Sequence, residues 1–250
     1  MDGPTPLITT TWRLPEAPLR SSAVATKLVA LLAVAALATA ARTGLPLSAF
    51  YAPKAATAFA ALMLLSLGFL QRHHPFARFG PANQVTTVRA ILVALIVGLV
   101  GELPLPVLAA SAVAVSVVVT MLDGVDGWLA RRHAIASDFG ARFDMEVDAL
   151  LILTLSLLAW RFGKAGAWVV AAGAMRYAFV AAGARWRWLQ APLPPSRRRQ
   201  TVCVVQVAAL TISLMPIVPP SISAPLAAVA LVALTWSFLI DTLWLWRRAL

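Results

Sequence analysis

Long apolar blocks run through this chain and constrain its fold more than any other feature. Each block holds roughly 17–25 residues, the length at which an α-helix crosses the hydrocarbon core of a bilayer. The 250 residues are 60% hydrophobic and 12% charged, whereas a soluble domain is about 45–50% apolar and about a quarter charged. An ordinary soluble enzyme is therefore excluded, and we predict an all-α integral membrane protein. Eight spans are expected, near residues 22–42, 53–70, 85–101, 105–129, 141–160, 165–184, 201–218 and 222–246.

Short loops with turn residues separate the blocks, as at the Gly80-Pro81 and Pro219-Pro220 pairs. Helices adjacent in sequence are therefore expected to pack antiparallel. The first block ends in residues 38–40, Ala-Thr-Ala, which are similar to a signal-peptidase site. Its polar leader of about 20 residues is longer than that of a usual signal peptide. We interpret this block as an uncleaved helix.

Basic residues outnumber acidic ones, with 21 Lys and Arg against 10 Asp and Glu and a formal net charge of +11. Most of them lie between the apolar blocks, where the positive-inside rule and anionic headgroups account for them, so we expect no nucleic-acid partner. The sparsely charged face is expected to carry Arg42, Lys54, Glu102, Arg161 and Lys164. Both termini are then predicted to be cytoplasmic. The residues assigned to the cytoplasmic face are Arg13, Arg20, Arg72, Arg78, Arg89, Arg131, Arg132, Arg185, Arg187, Arg197, Arg198, Arg199, Arg247 and Arg248.

The acidic residues are concentrated in one short stretch. Six of the ten lie between Asp123 and Asp148, a window of 26 residues. Asp123 and Asp126 close one apolar helix with i,i+3 spacing, so they share a helix face. Asp144 and Asp148 open the next helix with i,i+4 spacing and share a face in the same way. Two helix ends are therefore expected to bring four carboxylates together. The remaining two, which we expect to interact with the helix dipole, are Asp138 and Glu146.

Four converging carboxylates at a membrane edge need compensating charge, because each is costly in hydrocarbon and they repel one another. Hard divalent cations such as Mg²⁺ or Mn²⁺ take carboxylate oxygens, and two such ions a few ångströms apart can hold a diphosphate. No cluster of His or Cys competes for this role, since the lone Cys203 offers neither an intrachain disulfide nor a thiolate zinc site. We predict a two-metal carboxylate site that opens to the cytoplasm.

Small and basic residues accompany the carboxylates. Gly127 and Ala130 continue the carboxylate face of the first helix, and Gly140 precedes the second pair. Without large side chains there, a nucleotide or diphosphate could approach the backbone closely. Arg131, one turn beyond Gly127, supplies a cation suited to a phosphate or to one of the carboxylates. A purely structural alternative pairs the four aspartates with neighbouring arginines, namely Arg131, Arg132 and Arg142.

Together these residues resemble the signature of a known family, the CDP-alcohol phosphotransferases. The chain matches its eight fixed positions, which are Asp123, Asp126, Gly127, Ala130, Arg131, Gly140, Asp144 and Asp148. The segment from Asn83 to Arg89 is similar to the start of that family's first core helix. The resemblance implies a core of six membrane helices over about residues 83–246. The two spans before it form an N-terminal addition, which divides the chain into a leader (1–21), a hairpin with a basic loop (22–82) and the core (83–250).

The resemblance implies a metal-dependent membrane transferase of phospholipid biosynthesis. It would move the phosphatidyl group of a CDP-alcohol, typically CDP-diacylglycerol, to an acceptor hydroxyl and release CMP. The resemblance also assigns roles by position. Asp123, Asp126 and Asp144 would be the main metal ligands, while Asp148 would complete the metal site and act as general base. The CDP pocket would be lined by Thr86, Asp123, Gly127, Ala130, Arg131 and Gly140.

Arg176 lies near the middle of a predicted span, where an unpaired guanidinium is costly. In the family, arginines of the corresponding helix and of the following cytoplasmic segment help to bind an anionic acceptor. Arg176 with Arg197, Arg198 or Arg199 could therefore recognise the phosphate of a phosphorylated acceptor. Alternatively, Arg176 neutralises one of the catalytic carboxylates, and the three consecutive arginines only enforce topology.

Two other function classes compete with the transferase. Intramembrane Asp and Arg residues also line the ion paths of transporters, but transporter folds often repeat a motif in two halves, and no second copy of the Asp-rich helix pair occurs here. An inactive membrane scaffold would be expected to have lost metal ligands, yet all four carboxylates are present. The composition is compatible with a bacterial inner membrane, and resemblance to the family makes a homodimer possible.

Overall fold

The computed structural model describes residues 19–73, 79–132 and 137–249 of the chain. These residues form α-helices joined by short loops, and no strand occurs among them. The predicted all-α class is confirmed. The helices are α1 (Leu19–Gly44), α2 (Tyr51–His73), α3 (Pro81–Gly98), α4 (Pro106–Arg132), α5 (Asp138–Arg161), α6 (Val170–Arg185), α7 (Arg197–Leu214) and α8 (Pro220–Ala249), with short 3₁₀ segments at Ala167–Val169 and Arg187–Gln190.

Several of these helices are long and apolar enough to cross a membrane, by length and composition, so the chain is a multi-pass membrane protein. Within the described ranges there are five such segments: Ser21–Gly44, Pro81–Gly98, Pro106–Gly124, Ala167–Arg185 and Pro220–Ala249. The apolar part of α2 is shorter, Tyr51–Leu67. Helices α5 and α7 begin with several charged residues, which lowers their hydropathy. The arrangement of six core spans plus two therefore stays a prediction.

Proline and glycine set several helix ends. Pro81 occupies the first turn of α3, where its missing N–H costs no hydrogen bond. Gly101 follows α3 and Gly163 follows α5, both with positive φ (86° and 66°), a backbone region that glycine enters without a steric penalty. Ser137 caps α5, because its Oγ accepts a hydrogen bond from the Gly140 N–H at 3.0 Å.

Two predicted spans end at the wrong residue. The span 85–101 ends as a helix at Gly98, and the span 201–218 ends at Leu214. The second error arises because residues 215–218 are apolar but form a loop. Lys164 satisfies the backbone of that loop, since its Nζ donates to the carbonyls of Met215 (2.9 Å) and Val218 (2.6 Å).

Helices α3 and α7 organise the bundle around the acidic stretch. Each packs against both α4 and α5, so the two helices that carry the aspartates are held by common neighbours. Helices α1 and α2 pack on α3, α2 also packs on α5, α6 packs on α5, and α8 packs on α7. We call the end of the bundle at which α4 finishes and α5 begins the site end, and the opposite end, with the loops after α1, α3, α5 and α7, the far end.

Candidate active site

Three carboxylates and one guanidinium meet at the site end. The Arg89 side chain of α3 forms ion pairs with Asp123 of α4 and with Asp144 and Asp148 of α5. Its Nη2 lies 2.9 Å from Asp123 Oδ1 and 2.5 Å from Asp148 Oδ1, while its Nη1 binds Asp144 Oδ1. One carboxylate oxygen from each aspartate lies within 4.8 Å of the others. A single arginine therefore gathers acidic groups from two helices.

Each member of this cluster is placed by its position along a helix. Arg89 lies about two turns into α3, and its side chain is 1% exposed. Asp123 lies near the end of α4, and the i,i+4 spacing of Asp144 and Asp148 points both side chains from the start of α5 to the same face. The three carboxylates are 24–37% exposed. The guanidinium is therefore buried beneath acidic groups that remain open to a ligand.

The cluster fits a hard divalent cation. Three carboxylates and one guanidinium leave a formal charge of −2, which is costly at the edge of an apolar bundle unless a cation balances it. The available atoms are carboxylate oxygens, the ligands that Mg²⁺ and Mn²⁺ prefer. They lie close enough together for one ion to contact several of them. Asp123, Asp144 and Asp148 could therefore hold a metal ion.

Part of the predicted site lies outside the side chains that the structure describes. The backbone of residues 125–132 continues α4, which puts Asp126 one turn beyond Asp123 in the same helix. The side chains outside the described part are those of Asp126, Gly127, Ala130 and Arg131. Their roles as metal ligand and as CDP pocket stay predictions.

Thr86 and Gly140, two predicted members of the CDP pocket, lie in the second turn of α3 and in the first turn of α5. Thr86 lies one turn before Arg89 and is buried, with its Oγ1 donating to the carbonyl of Ala82 at 3.2 Å. A Cβ atom at position 140 would stand 3.1 Å from the Asn83 Oδ1 atom. Glycine at position 140 thus allows the start of α5 to approach α3. The roles of Thr86 and Gly140 in CDP binding stay predictions.

Arg176 of α6 binds Glu146 of α5 rather than the three clustered aspartates. Its Nη2 pairs with Glu146 Oε1, and its Nη1 lies 2.8 Å from the Met145 sulfur. This pairing differs from the structural alternative in which Arg176 neutralises a catalytic carboxylate. It also differs from the expected role of Glu146 at the helix dipole, because the carboxylate has a cationic partner on a neighbouring helix. Both side chains are about one quarter exposed.

The arginines at the start of α7 are engaged by α8. Arg198 donates through Nη1 to the Ser237 carbonyl and hydroxyl, both at 2.6 Å, and pairs through Nη2 with Asp241. Arg199 lies 3.3 Å from the same Asp241 carboxylate and also donates to the Pro194 carbonyl. Arg197 is exposed. The contacts of Arg198 and Arg199 join α7 to α8, so an acceptor phosphate would have to compete with Asp241 for them.

Two residues of the site were not recognised from the sequence. Arg89 was assigned to the charges flanking the cytoplasmic face, whereas the structure buries it among the three aspartates. The signal was its position inside the predicted span 85–101, where an arginine needs an anionic partner. Cys203 of α7 is the second, with its Sγ 4.0 Å from Asp148 Oδ2. Apolar neighbours in the sequence gave no indication of that contact.

Comparison with known families adds one match. A family model described as CDP-alcohol phosphatidyltransferase matches residues 79–241. The matched segment begins just before α3 and contains all four predicted metal ligands, while α1 and α2 lie outside it. No curated protein and no solved structure matches the chain.

Proposed function

The chain belongs to the CDP-alcohol phosphatidyltransferase family, and from that premise we propose that it transfers the phosphatidyl group of CDP-diacylglycerol to the hydroxyl of an acceptor alcohol, releasing CMP. The observation that carries this proposal is the gathering of Asp123, Asp144 and Asp148 around Arg89. These are three of the four acidic positions that the family signature has on two successive helices. The cluster combines metal-binding oxygens with a carboxylate that can accept a proton.

In the proposed reaction, the acceptor oxygen forms a bond to the phosphorus next to the lipid. The bond from that phosphorus to the oxygen bridging toward the cytidine nucleotide breaks, and its electron pair leaves with CMP. The proton of the acceptor hydroxyl passes to the Asp148 carboxylate, which is 24% exposed and thus open to the acceptor. A divalent cation bound by the aspartates would neutralise charge on the diphosphate. The ligands proposed for one or two such ions are Asp123, Asp126, Asp144 and Asp148.

Arg89 has a positioning role in this proposal. Its guanidinium forms ion pairs with Asp144 and Asp148 on one helix and with Asp123 on another, which fixes the separation of the three carboxylates. Because it is buried, it supplies positive charge without occupying the open side of the site. It also reduces the mutual repulsion of the aspartates when the donor is absent.

We further propose a phosphorylated acceptor. Arg176 pairs with Glu146, which lies at the same level of α5 as Asp144 and Asp148 but, at i±2 spacing, on a different side of the helix. A guanidinium at this place can exchange its carboxylate partner for the phosphate of an acceptor, since both are bidentate oxygen ligands. Arg197 and Arg199 are candidates to extend this subsite, with Arg199 already bound by Asp241.

The proposed location is a bacterial inner membrane with the site end and both termini in the cytoplasm. The basis is the charge asymmetry of the sequence, since arginine is concentrated at the site end and only a few charged residues lie at the far end. Water-soluble acceptor alcohols and CMP could then exchange with the cytoplasm, while the donor lipid stays in the bilayer.

The proposed function is tested by CMP release from CDP-diacylglycerol by the protein purified in detergent. The acceptor panel contains glycerol 3-phosphate, inositol phosphate, inositol, serine, choline and phosphatidylglycerol, each with Mg²⁺, with Mn²⁺ or with a chelator. Asp148→Asn tests the general base, and Asp138→Asn, at the first residue of the same helix, is the matched control. We expect metal-dependent release with one phosphorylated acceptor that Asp148→Asn abolishes and Asp138→Asn preserves.

CMP release with an unphosphorylated acceptor would support the proposed transferase activity but contradict the proposal that the acceptor is phosphorylated. Binding of CDP-diacylglycerol without release by any acceptor would contradict the proposed reaction and favour a scaffold. Charge movement across proteoliposomes without CMP release would favour a transporter.

A further inference from the structure

The hairpin formed by α1 and α2 lies outside the family match, yet it packs directly on the catalytic bundle. Both of its helices contact α3, and α2 also contacts α5. Helix α3 carries Arg89, and α5 carries two of the aspartates that Arg89 binds. The hairpin is therefore attached to the two helices whose relative position decides whether these ion pairs form.

Polar contacts fasten the hairpin to α3 at the far end. Glu102, in the loop after α3, accepts hydrogen bonds from the Lys54 ammonium (2.6 Å) and from the Ser48 N–H and hydroxyl (both 2.8 Å). Lys54 also donates to the Val100 carbonyl at 2.8 Å. Glu102 is 6% exposed, whereas the Lys54 side chain is 33% exposed, so the carboxylate that accepts these bonds is shielded from water. The loop between α1 and α2 and the first turn of α2 thus both form hydrogen bonds with the residues that follow α3.

Close packing accompanies these bonds one turn further in. The Tyr51 hydroxyl of α2 donates to the Leu95 carbonyl of α3 at 3.0 Å. A Cβ atom at position 98 would lie 2.7 Å from the Tyr51 ring, so glycine at position 98 is what lets the ring approach α3 this closely. A shift of α3 along its axis would break the Tyr51 hydrogen bond and move Gly98 away from its position opposite the Tyr51 ring.

A second fastening lies at the site end. The buried Lys27 ammonium of α1 donates to the Ser66 hydroxyl (2.6 Å) and the Met63 carbonyl (3.2 Å) of α2, and it lies 5.9 Å from the centroid of the Phe79 ring. Phe79 precedes α3 and contacts the Phe139 ring of α5 with centroids 5.9 Å apart. The hairpin thus touches the point at which α3 and α5 begin.

We propose that the α1–α2 hairpin sets the axial position of α3, and through it the position of Arg89 among the aspartates, with Lys54 and Glu102 as the positioning pair. Arg89 has to reach carboxylates on two helices at once, and one residue of axial slip moves an α-helix by about 1.5 Å. Displacements of about 1 Å in a catalytic site are enough to cost about 100-fold in rate. This inference deepens the proposed function and rests on it for its kinetic readout only.

The test compares Lys54→Met with Lys164→Met in the full-length protein. Lys164 is the matched control, because it is also a lysine at the far end whose ammonium donates to backbone carbonyls. Its two acceptors lie in the loop between α7 and α8, not at the end of α3. Two quantities are measured for each variant: Mn²⁺ binding by the purified protein, followed by the loss of the free Mn²⁺ electron paramagnetic resonance signal, and kcat and KM for CMP release. Thermal unfolding in the same detergent reports stability.

We expect Lys54→Met to weaken Mn²⁺ binding at least about threefold and to lower kcat by about tenfold with little change in the KM for CDP-diacylglycerol. Lys54→Arg should retain much of the wild-type Mn²⁺ affinity and kcat, because the arginine guanidinium can still reach Glu102 and the Val100 carbonyl. Lys164→Met should lower the unfolding temperature without changing Mn²⁺ binding.

Equal Mn²⁺ binding by the wild type and Lys54→Met would overturn the inference, whatever the activity. A parallel effect of Lys54→Met and Lys164→Met on Mn²⁺ binding would also overturn it, since a general loss of stability would then be sufficient. Absence of CMP release from the wild type would contradict the proposed function, while the Mn²⁺ titration would still decide the role of the hairpin.

Discussion

Gly173 of α6 and Leu153 of α5 lie in such close contact that a Cβ atom at position 173 would stand 2.2 Å from the Leu153 Cα atom. Only glycine fits this crossing, because the obstacle is backbone and cannot move aside as a side chain can. Small residues allow the same close approach of helices in other membrane bundles. The crossing also fixes Arg176, one turn along α6, beside Glu146 of α5.

Gly173→Ala should therefore force α5 and α6 apart. We expect a loss of about 1–3 kcal/mol in the free energy of unfolding, typical of overpacked cores, together with weaker use of the acceptor. Gly183→Ala on the same helix is the control, because its Cβ would meet only Gln190 Cγ at 3.6 Å, an ordinary contact. Thermal unfolding in detergent measures both variants, and equal unfolding temperatures would contradict the tight crossing.

Arg89→Met should inactivate the enzyme. Removing the guanidinium leaves three carboxylates within a few ångströms with no buried counter-charge, and breaking a buried ion pair typically costs about 3–5 kcal/mol. We expect at least about a 100-fold loss of kcat/KM in the CMP-release assay. Arg89→Lys should recover only part of the activity, since one ammonium cannot span carboxylates on two helices. Arg161→Gln, an exposed far-end arginine, should retain wild-type activity.

Arg176→Ala should raise the KM for a phosphorylated acceptor by about tenfold, which corresponds to the loss of one charge-assisted hydrogen-bonding group. The KM for CDP-diacylglycerol should change little, since Arg176 pairs with Glu146 rather than with the clustered aspartates. Glu146→Gln removes the carboxylate that competes for Arg176 and should not raise the acceptor KM. Equal increases in both KM values for Arg176→Ala would indicate a structural role.

Glu102 should make stability depend on pH. Burial alone would raise the pKa of this carboxyl, but hydrogen bonds from Lys54 and Ser48 outweigh burial and hold the pKa below its usual value. A carboxyl with a lowered pKa in the folded state stabilises the protein above its unfolded-state pKa, and this contribution is lost as the pH falls through the lowered value.

Wild type should therefore exceed Glu102→Gln in unfolding temperature near neutral pH. The difference should narrow as the pH falls below about 4.5, the ordinary value for the carboxyl group. Thermal unfolding of both proteins over a pH series measures this difference directly. A gap that stays constant into the acid range would be inconsistent with a lowered pKa for Glu102.

The helices and the acidic cluster follow from local patterns, which is why sequence reasoning reached them. Each predicted apolar block coincides with an α-helix in the part of the chain that the structure describes, and the i,i+4 spacing of Asp144 and Asp148 predicted their shared face. The errors concern residues whose environment depends on distant parts of the chain. Residues 215–218 are as apolar as a membrane span but form a loop. The carbonyl of Met215 in this loop accepts a hydrogen bond from Lys164, which lies 51 residues earlier in the chain.

Arg89 shows the same difficulty at the site. Near the start of an apolar helix, an arginine has the sequence pattern of a topogenic flanking charge. Two of its partners, Asp144 and Asp148, lie 55 and 59 residues later in the chain. A helical spacing pattern relates residues only a few positions apart, so it could not predict these pairs. The pairing of Arg176 with Glu146 was hidden for the same reason, since it depends on how α5 and α6 cross.

The partners of Arg89 also impose an order on biogenesis. Helix α3 is synthesised before α4 and α5, so Arg89 is made before any of the three carboxylates that bind it, with Asp123 following first and Asp144 and Asp148 later. An arginine in that state favours the aqueous side and resists stable partition into lipid. The hairpin of α1 and α2, made earlier, offers α3 a proteinaceous surface during this interval. The full set of ion pairs around Arg89 can therefore form only after the start of α5 has been synthesised.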